Sequence, residues 1–521
     1  MASETNVATA TAPSGTAGPF DFIAENIRKA GGNPKRVLIG FFAAWIAFAL
    51  ILWVLPAPKG LSKEGMAVLA IVVWASVMWV TEAMPVGITG MGIPTLLIMT
   101  KAFPWDKGNP PLRDALSGFV GPVVWLCLFA FLVAAIMQLL KLDRRIALAI
   151  LDWIKANNVG RVIWGFFYVN IVLSFLIPAA NARAATLLPV INGICDLLGD
   201  SDREKDAKKA IVIQAMVYGS MICGVFIMTA HLPNLIMVDL FEKAGFRIGY
   251  LQWALLQFPY LGMFALTQMW VRYHFKTGGV EVAGGHARIH AMHRDLGPMS
   301  RAEWTLLILF GIVALAFLFG RGNPIYELHR LPLGVIGLIG MLILFIPGLF
   351  PFTWRQVQAN TMWGTFLLLG GAITMTSAMT KSGLAKWFAD GIQGTVAGMP
   401  WWGVLLVLML GTHVIRIGML SNVAAIAMLA PIIFAMAPKL DLHPVALTLL
   451  VCDTDTFAYI LPTQITAAVI AYGTDRFSTT DYAKVGWLSI LIAIAYGIVV
   501  MAPWYALLGI PVWNPKAPWP F

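Results

Sequence analysis

The stretch VIRIGMLSNVAAIAMLAPII, Val414 to Ile433, sets Arg416 and the pair Ser421 and Asn422 inside an otherwise apolar run. A charged side chain at the middle of a bilayer costs roughly 2.5 kcal/mol or more unless it is paired or hydrated, so a plain lipid-facing helix is a poor reading. The apolar pieces on either side, 402–415 and 423–437, are each too short to cross a hydrocarbon core about 30 Å thick. Such a segment reads as a hairpin that enters from one side and turns in mid-membrane, with its polar residues at a wet turn.

The remainder of the chain agrees with a membrane location. Of its 521 residues, 59% are hydrophobic and 12% charged, and the mean hydropathy is +0.78. A water-soluble fold could not present that composition without exposing large apolar surfaces. Apolar runs such as 37–55, 123–140, 251–270 and 487–508 approach the ~20 residues that span as helix, which excludes a barrel of short alternating strands. The net charge of +10 does not point to nucleic acid: Lys and Arg are spread through short loops and are more frequent on one side, which places the N-terminus inside. Residues 1–36, polar and ending in Lys35 and Arg36, read as a disordered cytoplasmic tail rather than a signal peptide. The four cysteines, Cys127, Cys195, Cys223 and Cys452, lack metal or disulfide spacing and read as packing residues.

The chain also repeats itself. MPVGITG at Met84 has its counterpart in LPLGVIG at Leu331, pairing Pro85 with Pro332; Trp125 pairs with Trp363, and NARAATLLPVI with NVAAIAMLAPII, pairing Asn181 with Asn422. Three matches in one order indicate a duplication. The first repeat spans 37–271 with a hairpin at about 160–198 around IPAANAR; the second spans 302–521 with a hairpin at about 401–438. Each hairpin is followed by a helix that proline interrupts, at MTAHLPNLI (Pro233) and at ILPTQITAAV (Pro462), because proline removes a donor and clashes with the preceding turn. An odd number of crossings per half inverts the second half relative to the first. Hairpins and broken helices in matching positions are the pattern of a secondary transporter with its site at the repeat interface. The fold class is therefore an all-α polytopic membrane protein of two inverted-topology repeats, with roughly eleven spanning segments. Between the halves, 272–301 reads as a flexible cytoplasmic linker despite three histidines within 278–295 that tempt a metal reading. LDRRIALAILDWIKA reads as an amphipathic interfacial helix.

With these features the chain resembles the divalent anion:sodium symporter family, within the ion transporter superfamily. The likeness covers nearly everything from Arg36 and includes TEAMPVGITG, LDRRIALAIL, LLLGGAITMTSAMTKSGLAKWFA and YGTDRF. Family members carry Ser-Asn-Thr at each hairpin tip and Thr-Pro-Pro-Asn at each break, and this chain departs from both patterns. Ser421 and Asn422 are followed by Val423 instead of threonine; Ala179 and Ala180 stand at the first Ser-Asn positions, with Asn181 at the threonine position. The first break keeps Pro233 and Asn234 behind His231 and Leu232, whereas the second has Ile465, Thr466, Ala467 and Ala468. The resemblance implies a homodimeric secondary carrier with elevator-like movement in a bacterial inner membrane, no enzymatic activity and no cofactor. It also implies a small organic anion as cargo, dicarboxylates and tricarboxylates first, coupled to sodium or working as an exchanger. A sulfonate or monocarboxylate carrier and an anion channel are the alternatives.

The substrate-binding set so assembled is Asn181, Arg183, Pro233, Asn234, Ser421, Asn422, Val423 and Thr466, with sodium expected near Asn181 and near Ser421 and Asn422. Tip asparagines can donate amide hydrogens to a carboxylate, while helix N-termini add oriented N–H groups; alternatively Asn181 and Asn422 only cap the helices that follow. His231, His413, Arg416, Asp453 and Asp455 form a charge-coupling set in which the cationic groups, with Arg183, partly replace coupling sodium ions, or in which Arg416 forms a structural salt bridge to Asp455. An intramembrane aspartyl hydrolase built on Asp453 and Asp455 is disfavoured, because positions i and i+2 of one helix point about 200° apart.

Overall fold

The computed structural model describes residues 19–29, 33–105, 108–282, 284–318, 331, 333–419 and 421–521. Among them the regular structure is helical, apart from one isolated bridge between Asn158 and Glu281. Seven helices are long and apolar enough to cross a membrane, or up to nine when the bent pairs are each taken as one span. That is fewer than the eleven expected, for a physical reason. The seven include the hairpin arms Val159–Leu176 and Asn422–Leu440, whereas the apolar helices Val86–Met99 and Gly334–Leu344 fall below the length of an unbroken span.

Hairpin 1 consists of Val159–Leu176 and Ala180–Cys195, and hairpin 2 of Trp401–Arg416 and Asn422–Met436. Local chemistry fixes where the helices begin. Asn158 accepts from the Arg161 amide at 3.0 Å, and Ser421 from the Ala424 amide at 3.3 Å, each satisfying one of the free donors of a helix N-terminus. Each hairpin is preceded by an arm helix, Leu142–Trp153 or Leu384–Val396, the second turning by 120° into hairpin 2. After hairpin 1, the span Asp202–Phe226 gives way to a 3-10 turn, Met228–Ala230, and then to Leu232–Lys243. After hairpin 2 the order recurs as Pro444–Thr456, the 3-10 turn Pro462–Gln464, and Thr466–Tyr472. The halves interlock: the second arm of each hairpin packs on the helix that follows the break of the other half.

The other helices form a frame. Val86–Met99 lies so close to Trp363–Lys381 that a Cβ on Gly371 would fall 2.4 Å from the Gly90 carbonyl oxygen and one on Gly90 2.7 Å from that of Leu367. Small residues let membrane helices approach to backbone contact in this way. Pro332, counted in the repeat, lies outside the described residues.

Two expectations are corrected. The tail 1–36 is not unstructured to its end, since Pro19–Lys29 is helical and the first membrane helix starts at Pro34, capped by Asn33, which accepts from Lys35 and Arg36. Nor is 272–301 a slack linker. Its helix Gly285–Arg294 lies on the arm helix Leu142–Trp153, and His286, His290 and His293 bring ring nitrogens within 3.0–3.1 Å of the Asp152 carboxylate. Spacings of four and three residues put the three imidazoles on one helix face. Burial would raise the Asp152 carboxyl, but hydrogen bonds from His293 and His290 hold it below the usual carboxylate range. Arg145 adds bonds to Glu303 at 2.7 Å and to the Leu296 carbonyl at 3.0 Å. Among the described residues no group of three or more His, Cys, Asp or Glu is arranged to hold a metal ion.

Candidate functional site

At the tip of hairpin 1, Ala180–Cys195 begins two residues after Pro178, which brings Arg183 back under the turn. Its side chain has no solvent exposure. One terminal nitrogen donates to the carbonyls of Ile177 and Ala230, both at 2.8 Å, and the other to the Ser220 carbonyl at 2.6 Å. Gly224 makes this possible, because a Cβ there would stand 2.8 Å from the guanidinium. The guanidinium therefore clips the hairpin tip to the last residue of the 3-10 turn in the same half, and does not point at a ligand. Asn234 likewise turns inward, its amide donating to the carbonyls of Gly224 at 3.0 Å and Ile227 at 3.1 Å, which the broken helix leaves without internal partners. Pro233 is buried in the first turn of the helix it begins. In this structure Arg183 and Asn234 are thus bonded to backbone carbonyls and Pro233 is packed in a helix start.

Hairpin 2 reaches a similar result by another route. Arg416, also without exposure, ends the first arm and donates to the Met419 carbonyl at 3.1 Å, to the Gln464 carbonyl at 2.8 Å, and to the side-chain oxygen of Asn422. Its Nε lies 3.5 Å from Asp455, which is equally buried, so the salt-bridge alternative holds at ion-pair distance. Gln464, which no motif singled out, locks this arrangement: its amide donates to the Arg416 carbonyl at 3.0 Å, while its side-chain oxygen accepts from the backbone of Ile460 at 3.0 Å and Leu461 at 2.7 Å. A glutamine two residues after a helix-breaking proline was the available signal.

Asn422 joins the halves. Its amide lies 3.3 Å from His231 Nε2 and donates to the Thr456 carbonyl at 3.4 Å. His413 bonds its own helix at the Met409 carbonyl, 2.8 Å away. Asp453 accepts from Gln257 at 2.7 Å, and Gln257 accepts from Tyr505 at 3.1 Å. Asp453 and Asp455 thus have different partners and share no site, as the helical geometry requires. Val423 is apolar and buried. Asn181 and Ser421 are half-buried and Thr466 is exposed, so these three polar residues, two at hairpin tips and one opening the helix after the second break, are not closed off by the rest of the chain.

A small cation would need the oxygens that converge at each tip. Those of Ile177, Ala230 and Ser220 already accept from Arg183, and those of Met419, Gln464 and Asn422 from Arg416. These carbonyls are engaged with guanidinium donors, while the tip side chains of Asn181 and Ser421, expected beside sodium, are half-buried.

Two inverted repeats, each with a re-entrant hairpin clipped to a broken helix, define a polytopic membrane transporter rather than an enzyme. The chain belongs to the family described as the sodium:sulfate symporter transmembrane region, whose model matches residues 38–511. It is 29% identical over 492 residues to a membrane protein of Cupriavidus necator, covering 91% of this chain and 94% of that one. Over 503 residues it is 26% identical to the sodium-dependent dicarboxylate transporter SdcS of Staphylococcus saprophyticus, covering 92% and 93%. Among solved structures it is similar in fold to Neisseria gonorrhoeae MtrF, with a TM-score of 0.54, 13% identity and coverage of 93% and 97%. Alcanivorax borkumensis YdaH gives a TM-score of 0.51 at 16% identity, covering 82% and 99%.

Proposed function

We propose that the protein is a secondary carrier of a small organic anion, a dicarboxylate or tricarboxylate, that works as an exchanger with two built-in cations in place of coupling sodium ions. One observation carries this reading. In both halves a buried guanidinium joins the hairpin tip to the closing carbonyl of the 3-10 turn, Ala230 in the first and Gln464 in the second. The Arg183 charge at the first tip, and at the second that of Arg416, which it shares with Asp455, face an anion held between the helix N-termini by Asn181, Ser421 and Thr466, where free N–H groups favour negative charge. Because these cations are part of the chain, they are not released with the cargo, so a sodium gradient has nothing to act upon at these positions. The anion then moves by exchange down its own gradient or that of a counter-anion. Elevator-like displacement of the hairpin-bearing helices against the frame, in a homodimer in a bacterial inner membrane, completes the proposal. The dicarboxylate assignment rests on the SdcS relatives.

Counterflow of labelled succinate in proteoliposomes free of sodium tests this. Saturable exchange that external sodium does not change is expected; exchange that appears only with sodium overturns the coupling assignment.

A further inference from the structure

Away from the hairpins, a half-open groove of about 960 Å³ lies between the first membrane helix (Pro34–Ala49, continued by Leu50–Val54), Lys63–Thr81 and Val86–Met99. Its walls are almost wholly apolar. Trp45 and Trp74 meet with ring centroids 5.4 Å apart, and Trp74 rests on Gly92, where a Cβ would come within 2.4 Å of the ring. Lining positions on Val86–Met99 run from Ile88 to Met99, a distance of about 16 Å at 1.5 Å per residue, which is roughly the depth of one leaflet of a 30 Å core.

The only basic residues lining the slot are at one end. Lys63 opens its helix and Lys101 follows the end of Val86–Met99; both line the mouth, both are exposed, and among the described residues neither is in an ion pair. Exposed Trp53 sits at the same end, and Lys101 lies 5.2 Å from the Trp105 ring. Tryptophan and lysine together mark the level of lipid headgroups.

We infer that this slot is a binding site for one anionic phospholipid, with an acyl chain along Trp45, Phe48, Trp74 and Met91 and the phosphate between Lys63 and Lys101. An apolar channel one leaflet deep beneath two cations matches that molecule in length and in sign. A second copy of the chain is the competing occupant. A two-fold interface would gather Lys63 and Lys101 of both copies on one seam, whereas a lipid phosphate supplies the opposite charge.

Native mass spectrometry of the protein extracted in mild detergent, with unfolding temperatures in mixed micelles of phosphatidylglycerol or phosphatidylcholine, tests the assignment. Wild type is expected to retain phosphatidylglycerol and to reach half-maximal stabilisation at about tenfold lower concentration than with phosphatidylcholine. The variant with Lys63→Gln and Lys101→Gln should lose that preference, and Met91→Trp, which fills the slot, should lose retention. The lysines are exposed, so the double variant decides the matter if Met91→Trp does not fold. Equal response of wild type to the two lipids, or an undiminished preference in the double variant, overturns the site. So does efficient cross-linking of Met91→Cys into a covalent dimer, in which the four native cysteines, all buried, take no part.

Discussion

The two halves hold the same joint by different means. In the first, Arg183 follows its tip and spends its guanidinium on three backbone carbonyls; in the second, Arg416 precedes its tip and divides its bonds among two carbonyls and Asn422, with Asp455 beside it. Neither position matches the other in the repeat, yet both end on the closing carbonyl of the 3-10 turn. Duplicated backbones keep their geometry after the sequence has drifted, and a cation can reach that geometry from either side. The difference lies in what each arginine leaves behind when removed. Without Arg416, a buried carboxylate is stranded; without Arg183, only carbonyls are.

Arg416→Ala should therefore be the most damaging change, destabilising by about 3–5 kcal/mol, the usual cost of leaving one member of a buried ion pair alone. Thermal unfolding in detergent checks this, and adding Asp455→Asn should recover part of the loss. Arg183→Ala should cost less, about 1–3 kcal/mol, from unsatisfied buried acceptors. It also sharpens the comparison: with the three carbonyls released, sodium should raise the unfolding temperature of this variant while leaving wild type unchanged. Equal sodium sensitivity of the two proteins would break the idea that the guanidinium occupies a cation's place. Between the tip asparagines, Asn422→Ala should lower stability by about 1–2 kcal/mol through the unpaired Arg416 donor, whereas Asn181→Ala should leave stability intact and weaken half-saturation in succinate exchange. The smallest effect belongs to Asp152→Ala, about 0.2–1 kcal/mol for a partly exposed ion cluster, read as faster tryptic cleavage at Arg288 and Arg294.

Much of this was legible before any coordinates. Polar tips inside apolar runs, the prolines after them and the paired Asn181 and Asn422 announce hairpins and broken helices, although the arms Val159–Leu176 and Asn422–Leu440 are longer than expected and reach spanning length. The direction of side chains at the tips was not. That Arg183 and Asn234 donate to the carbonyls of Ile177, Ser220, Gly224 and Ala230 could not be read, because a backbone carbonyl has no letter in the sequence. Gln464 was overlooked for the same reason. The histidines at 286, 290 and 293 read as linker because Asp152, their common partner, lies far back in the chain.

The seam between Gly90 and Gly371 has a further consequence. Backbone pressed on backbone leaves no side chains to repack if either helix were to slide or roll, so these two behave as one beam. The stroke proposed above would be borne by other surfaces, and enlarging either glycine would force these two helices apart.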